Sequence, residues 1–219
     1  MKICDDYRST KRSKILTHVF QKKENLECEI REKHPRSSLY KNISNKKDIY
    51  FKKFAEIYNY KCAYCGISSE IKGLISFEVD HFKCKSSFSD EEGGEREADK
   101  LSNLVLSCQP CNRKKREIVI DGQYKELLNI DNNKIKNIFY RDENYYIRIS
   151  EKYVKNEFIN SFYKKICFDA DFRRLDYLLL EMNELIECLN EKKEINDTIG
   201  NELKNCFIKL IKKRNNFLE

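Results

Sequence analysis

The chain has 219 residues, enough for one ordinary domain or for a small catalytic module with a helical extension. It carries 43 Lys and Arg against 36 Asp and Glu, a formal charge of +7 that permits a polyanionic partner without requiring one. The sequence contains no apolar run of the roughly 18 residues that a membrane span needs and no secretory leader, which argues against a membrane protein and predicts a cytoplasmic one.

The excess of positive charge lies in the N-terminal part of the chain. Residues 1–61 contain 16 Lys or Arg and 8 Asp or Glu, whereas the rest is close to neutral. Apolar residues recur at helical spacing within residues 11–34, where Pro35 is expected to end a helix, and again within residues 45–58. We therefore predict a basic N-terminal helical segment over residues 1–60.

The pattern changes from Lys61 onward. Residues 74–79 are apolar enough for a strand, and residues 103–106 are predicted as a second, shorter strand. Between them, residues 90–100 are acidic and contain two glycines, which indicates an exposed loop. Residues 112–117 are predicted to begin a helix. The expected order is strand, loop, strand and helix.

The rest of the chain divides into a short β element and a helical region. Residues 138–140 and 145–149 flank a polar turn and predict a β-hairpin, which we include in a central module over residues 61–150. Residues 151–219 are predicted to be helical, with a break at residues 198–200. Either this helical region packs on the rest of the protein, or it presents a surface for a partner protein.

Four of the ten cysteines occur as two CxxC pairs about forty residues apart. In a reducing compartment such pairs favour a metal over disulfides, and a structural Zn²⁺ site takes four ligands in a closed tetrahedron. The predicted ligands of one structural zinc are Cys62, Cys65, Cys108 and Cys111. Alone, this pattern specifies only a zinc knuckle, which serves binding modules and enzymes alike. The remaining cysteines are predicted to be ordinary thiols: Cys4, Cys28, Cys84, Cys167, Cys188 and Cys206.

Further residues lie between and beside the two CxxC pairs. The segments CAYCG, FEVDHFK and NLVLSCQPCNRKK follow one another over about a quarter of the chain. In order, spacing and local hydrophobicity this combination resembles the HNH endonuclease family. The resemblance implies an α+β fold: a central ββα-metal HNH module with a four-cysteine zinc knuckle, preceded by N-terminal helices and followed by a C-terminal helical region.

The resemblance also implies roles for four residues. His81 would be the general base, because a neutral imidazole can take a proton from water near neutral pH. Asp80 would bind the catalytic metal, with a simple turn cap as the alternative. Asn112 stands where many family members carry the final histidine, and its amide oxygen favours Mg²⁺ or Mn²⁺ as that metal. Asn103 would fix the loop that carries the base through backbone hydrogen bonds, unless it is an ordinary turn asparagine.

A basic cluster follows Asn112 directly. Side chains of this cluster would contact phosphates without reading sequence, although a solvated basic turn is the alternative. The residues of the cluster are Arg113, Lys114, Lys115 and Arg116.

Two functional hypotheses follow. The first is a metal-dependent endonuclease, with DNA as the expected substrate, acting as the effector of an antiphage defence or restriction system. Its C-terminal helices would dock on a sensor or ATPase partner. The second hypothesis is a non-catalytic zinc-knuckle module that binds nucleic acid or protein. Asp80, His81 and Asn112 favour the first, because a binding knuckle needs none of them.

Overall fold

The computed structural model describes residues 2–13, 16–88, 94–116, 118–191 and 197–216. It is a mixed α+β fold with small sheets, as predicted. The described residues contain two separate antiparallel sheets of two strands each: β1 (Phe77–His81) pairs with β2 (Leu104–Cys108), and β3 (Phe139–Arg141) pairs with β4 (Ile147–Ile149). The α-helices are α1 (Val19–Lys33), α2 (Leu39–Ser44), α3 (Ile49–Ile57), α4 (Ser69–Lys72), α5 (Glu95–Ala98), α6 (Gln109–Lys115), α7 (Gly122–Leu127), α8 (Glu157–Lys165), α9 (Asp171–Glu191) and α10 (Asp197–Asn215). Short 3₁₀ turns cover Leu74–Ser76, Lys85–Phe88, Leu101–Asn103, Lys134–Asn137 and Glu151–Tyr153.

The N-terminal helices are shorter than the sequence suggested. Helix α1 begins only after His18, which adopts a left-handed conformation with φ 54°, and it ends before Pro35 as expected. Ile15, one of the apolar residues behind that prediction, lies outside the described residues. Helix α3 begins where the Asp48 side chain accepts a hydrogen bond from a backbone N–H of the first turn. Helix α2 was not predicted from the sequence, and the Ser38 hydroxyl caps it in the same way.

The central elements are displaced by a few residues from their predicted positions. Strand β1 extends through Asp80 and His81 rather than ending before them. Helix α6 begins at Gln109, with Pro110 in its first turn, where the missing N–H of proline costs nothing. The predicted acidic loop contains the short helix α5, and residues 89–93 and Glu117 lie outside the described part of the chain.

The hairpin is confirmed at β3 and β4, and the C-terminal region is helical. The predicted break at residues 198–200 is wrong, because these residues lie inside α10. A glycine in a helix costs only about 1 kcal/mol and does not by itself end one. Helices α9 and α10 pack against each other, and the first half of α9 is buried.

One buried hydrophobic cluster runs through the N-terminal helices, the β1–β2 sheet, the hairpin and α8. Tyr7 and Phe168, which are far apart in sequence, pack edge to face with ring centroids 5.5 Å apart. Lys23 and Asp131 form a buried ion pair with the charged atoms 2.5 Å apart. The Lys23 ammonium also donates a hydrogen bond to the carbonyl of Leu104 at the start of β2. The predicted segments 1–60, 61–150 and 151–219 therefore share a core.

No helix in the part of the chain that the structure describes is both long and apolar enough to cross a membrane.

A substitution at Gly66, in the first CxxC turn, tests how tightly the N-terminal segment packs on that turn. Its φ is +77°, and a Cβ there would lie 2.0 Å from the carbonyl oxygen of Arg8. We expect Gly66→Ala to lower the free energy of unfolding by about 3 kcal/mol or more, from backbone strain and the clash together. Gly122→Ala is the control, because φ is +49° and nothing lies within 4 Å of its Cβ position.

The control should cost about 1 kcal/mol, from the left-handed backbone alone. Urea unfolding of the wild type and both variants measures the difference. Equal losses for the two variants would show that the contact with Arg8 does not matter.

Candidate active site and metal centre

The four predicted zinc ligands come together in the structure. All four sulfur atoms lie within 4.8 Å of one another, and every one of these cysteines is buried. The first pair lies in a turn whose Ala63 N–H bonds the carbonyl of Leu106 in β2, whereas the second pair spans the end of β2 and the start of α6. In the described residues, this is the only group of three or more metal-ligating side chains so closely placed.

The sulfur spacing fits a tetrahedral zinc. With Zn–S bonds of about 2.3 Å, the edges of a ZnS₄ tetrahedron measure about 3.8 Å. The sulfurs of Cys65 and Cys108 are 3.7 Å apart. The four-cysteine cluster could therefore hold a metal such as zinc.

Helix α6 packs on the face of β1 that carries Glu78 and Asp80. Residues two apart in a strand share a face, and residues three apart in a helix share a side. Accordingly, the Asn112 amide donates to the Glu78 carboxylate at 2.7 Å, and the Lys115 ammonium lies 3.2 Å from Asp80. These two contacts set α6 against β1.

Asp80 is buried and already has two partners. Its carboxylate accepts hydrogen bonds from the Tyr64 hydroxyl at 2.7 Å and from Lys115, and only 7% of the residue is exposed. Burial raises the pKa of Asp80, while Lys115 and Tyr64 act in the opposite direction. Lys115 also donates to the backbone carbonyl of His81 at 2.7 Å, so one ammonium joins the two neighbouring residues.

The contact between β1 and α6 contains oxygen atoms of the type that binds a hard cation. Two carboxylates, from Glu78 and Asp80, and the Asn112 amide line one side of the β1–α6 contact, and Mg²⁺ and Mn²⁺ prefer such oxygen ligands. Their arrangement is closed, because the Lys115 ammonium holds Asp80 and the Asn112 amide nitrogen faces Glu78. A divalent cation bound here would compete with Lys115 for the Asp80 carboxylate and would need the Asn112 amide oxygen rather than its nitrogen.

His81 lies at the end of β1 with a carboxylate partner that the sequence did not reveal. Its Nε2 is 2.9 Å from an oxygen of Asp99, which also accepts from the Ser38 hydroxyl at 2.6 Å and lies 3.1 Å from the Lys85 ammonium. The Tyr40 ring packs on the imidazole with centroids 4.6 Å apart. Burial lowers the pKa of His81, and the Asp99 carboxylate opposes that shift.

Asn103 bonds the segment that follows His81. Its side-chain oxygen accepts from the Lys83 N–H at 2.9 Å, and its amide donates to the carbonyls of Lys83 at 3.0 Å and Ala98 at 2.9 Å. The Asn103 carbonyl also accepts from the Phe82 N–H. This is the geometry that the expected positioning role requires, and the role itself stays a prediction.

The basic cluster is not uniformly exposed. Arg113, Lys114 and Arg116 are exposed, but Lys115 is only 1% exposed and points into the protein. The expectation that Lys115 contacts phosphate from the surface is therefore wrong for the observed arrangement. Successive helical residues are about 100° apart, so four adjacent cations cannot share one face.

The structure brings to this site four polar side chains that were not predicted from the sequence: Tyr40, Tyr64, Glu78 and Asp99. Glu78 could have been found, because it lies two residues before Asp80 and must share its strand face. Asp99 lies in a segment predicted as an acidic loop, and Tyr40 lies in a helix that was not predicted. No local pattern marks either residue.

Comparison with known proteins agrees with this geometry. Residues 62–117 match the model of the family described as HNH endonuclease, and they include both CxxC pairs, Asp80, His81, Asn103 and Asn112. This match supports an HNH endonuclease domain at these residues, and a curated relative supports it as well.

That relative is the "SPbeta prophage-derived putative HNH endonuclease YoqL" of Bacillus subtilis (strain 168). It is 25% identical over 118 residues, which cover 54% of this chain and 49% of the relative. The chain therefore spans about half the length of the relative it matches. No solved structure matches the chain.

Asp99→Asn tests the partner of His81. The neutral amide removes the charge that favours protonated imidazole, so the pKa of His81 should fall further below its ordinary value. Titration of the three histidines by NMR measures this shift, and Glu97→Gln, a charge loss on the same segment with Lys100 as its partner, is the control. An unchanged or raised His81 pKa in Asp99→Asn would contradict the contact.

Proposed function

We propose that this protein is a metal-dependent HNH endonuclease that hydrolyses phosphodiester bonds, with His81 as the general base. The observation that carries the proposal is the pairing of His81 with Asp99. With Nε2 directed at the carboxylate, the proton resides on that nitrogen and Nδ1 keeps its lone pair for a water molecule. A histidine held in one tautomer by a carboxylate, with its pKa below the ordinary value, is suited to accept a proton near neutral pH.

The proposed mechanism assigns each side chain one task. His81 takes the proton of the attacking water, Asp99 and the Tyr40 ring hold the imidazole in place, and Asn103 fixes the following segment. The residues that would hold the catalytic cation are Asp80 and Asn112, with Glu78 beside them. When bound, Mg²⁺ or Mn²⁺ supplies stabilisation of the negative charge that develops on the phosphate and the leaving oxygen.

The proposed zinc site has a structural task. A closed site with four thiolates leaves no open position for a substrate, so it supports the turn, β2 and α6 rather than reacting. Because α6 carries Asn112 and Lys115, zinc would fix the helix that completes the active site.

DNA is the proposed substrate, and three exposed cations on or next to α6 support a nucleic-acid partner: Arg113, Lys114 and Arg116. The narrower proposal is an effector of antiphage defence or restriction that acts in the cytoplasm, with the C-terminal helices docking on a sensor or ATPase partner. It rests on the sequence resemblance. The prophage origin in the relative's name is consistent with a phage-linked nuclease.

One observation favours the second hypothesis, a non-catalytic zinc-knuckle module. The Asp80 carboxylate is buried and already bound by Lys115 and Tyr64, as it would be in a site with a purely structural role. The two hypotheses differ in one outcome, because only the enzyme cleaves its ligand.

His81→Ala tests the enzyme directly. Purified wild type is incubated with plasmid DNA, linear single strands and RNA, in the presence of Mg²⁺, Mn²⁺ or EDTA. We expect cleavage of DNA with either cation and none with EDTA. His81→Ala should reduce the rate by at least about 100-fold, the usual contribution of a general base, while folding and zinc content stay unchanged.

His34→Ala is the matched control, since this exposed histidine lies at the end of α1. It should cleave at the wild-type rate. Equal cleavage by wild type and His81→Ala would disprove the role of His81, and binding without cleavage under all conditions would favour the zinc-knuckle module.

The basic residues are tested through the salt dependence of binding. Each phosphate contact contributes about 0.9 to the slope of log affinity against log salt for double-stranded DNA, and about 0.7 for single strands. The double variant Arg113→Ala/Lys114→Ala should therefore reduce the magnitude of the slope by about 1.8 for double-stranded DNA and by about 1.4 for single strands. Lys204→Ala/Lys209→Ala, two exposed cations of α10, is the control. The same slope in all three proteins would show that Arg113 and Lys114 do not contact the nucleic acid.

A further inference from the structure

Arg173 of α9 lies against the cysteine cluster from the C-terminal side of the protein. Its guanidinium places Nη2 3.1 Å from the Cys111 sulfur and Nη1 3.9 Å from the Cys108 sulfur. It also donates to the carbonyls of Ile166 and Cys167, just after α8. One side chain therefore joins the metal centre, the end of α8 and the beginning of α9.

This contact is completely buried. Arg173 is 1% exposed, and its fork of N–H donors is used by two sulfurs and two carbonyls. A lysine offers one ammonium in place of this planar fork and cannot make the same four contacts. Arginine stays protonated in proteins, so the positive charge beside the sulfurs is permanent.

The surroundings of Arg173 have a surplus of positive charge. Four buried cations and one buried anion lie in this region, a surplus of three: Arg173, Arg141, Lys72 and Arg214 against Asp176. Lys72 and Arg141 are both within electrostatic reach of the Cys65 sulfur. Buried charges are costly unless opposite charges compensate them.

A zinc ion with four thiolates carries a net charge of −2, which would offset most of this surplus. Zinc binding therefore changes the charge that faces these buried cations. The C-terminal helices supply three of the charged side chains, Arg173, Asp176 and Arg214. Their packing therefore depends on the charge at the cysteine cluster.

We infer that Arg173 stabilises the zinc from outside its ligand shell and that zinc binding and the docking of α9 and α10 are thermodynamically coupled. This inference rests on the zinc of the proposed function. It extends the metal centre beyond the segment that matches the family model, which ends at residue 117. Coupling is reciprocal, so whatever weakens the contact at Arg173 must also weaken the affinity for zinc.

Arg173→Met in the full chain tests the coupling. The substitution keeps an apolar side chain of similar length but removes the charge and the N–H···S bonds. Zinc transfer to the chelator 4-(2-pyridylazo)resorcinol should show at least a tenfold loss of affinity. Hydrogen exchange of the zinc-loaded variant should be faster in α9 and α10 than in the wild type, with little change in α1.

Arg141→Met is the matched control. Arg141 is equally buried at 1% exposure, but its guanidinium donates to the backbone carbonyls of Tyr7, Tyr145 and Arg173 rather than to sulfur. Because this variant removes a nearby cation but no N–H···S bond, it should lose clearly less zinc affinity than Arg173→Met, even if its unfolding temperature falls. An equal loss of zinc in both variants would mean general destabilisation and would overturn the inference.

Cobalt substitution gives a readout that a merely structural role would not change. Removing a cation and its hydrogen bonds from a thiolate raises the energy of the sulfur lone pairs, so the sulfur-to-cobalt charge-transfer bands should move to longer wavelength in Arg173→Met. If that variant does not fold, Arg173→Lys replaces it, with a smaller shift and an intermediate zinc affinity expected. Wild-type spectra and wild-type zinc affinity in the variant that folds would overturn the inference.

Metal analysis of the purified wild type separates this failure from that of the proposed zinc site. Absence of zinc from the wild type would disprove both the zinc site and its coupling to α9 and α10. One equivalent of zinc in the wild type together with unchanged zinc affinity in Arg173→Met would disprove only the coupling.

Discussion

The convergence of four cysteine sulfurs is the constraint on which the rest of the site depends. It ties a turn near the end of the N-terminal segment to the end of β2 and to the first turn of α6. Strand β1 pairs with β2 along its whole length, from Phe77 opposite Cys108 to His81 opposite Leu104. The position of His81 is therefore set by a short chain of elements that starts at the metal centre.

The contact between α6 and β1 carries a conflict between stability and metal binding. Lys115 compensates the buried charge of Asp80, and removing one partner of such a pair is strongly destabilising. The same ammonium would compete for the carboxylate with a divalent cation in the proposed metal site. A nuclease with the proposed metal site would exchange one cation for another at Asp80 when it binds metal. In that proposal Lys115 acts beside the metal, because its side chain is buried against β1 and not exposed on the surface.

The C-terminal helices are part of this arrangement rather than a separate appendage. Helix α9 brings Arg173 to the sulfurs, and Arg214 of α10 pairs with Asp176 of α9 at 2.8 Å. The first half of α9 is buried, whereas its second half and most of α10 are half-buried or exposed. The buried half supports the metal centre, and the outer half leaves room for the partner surface proposed from the sequence.

The sequence by itself determined the kind of site, because the signals that define it are local: two CxxC pairs, the Asp80–His81 pair and Asn112 on a short helix. Periodicity and turn residues also predicted the hairpin and the helical C-terminal region, and the resemblance to the HNH family implied the α+β class. Only the tertiary structure decided which of four adjacent cations is buried, since the orientation of α6 on β1 sends Lys115 inward and its neighbours outward. Likewise, Asp99 and Arg173 reach their partners across 18 and 62 residues of sequence, respectively, through packing that no local pattern records.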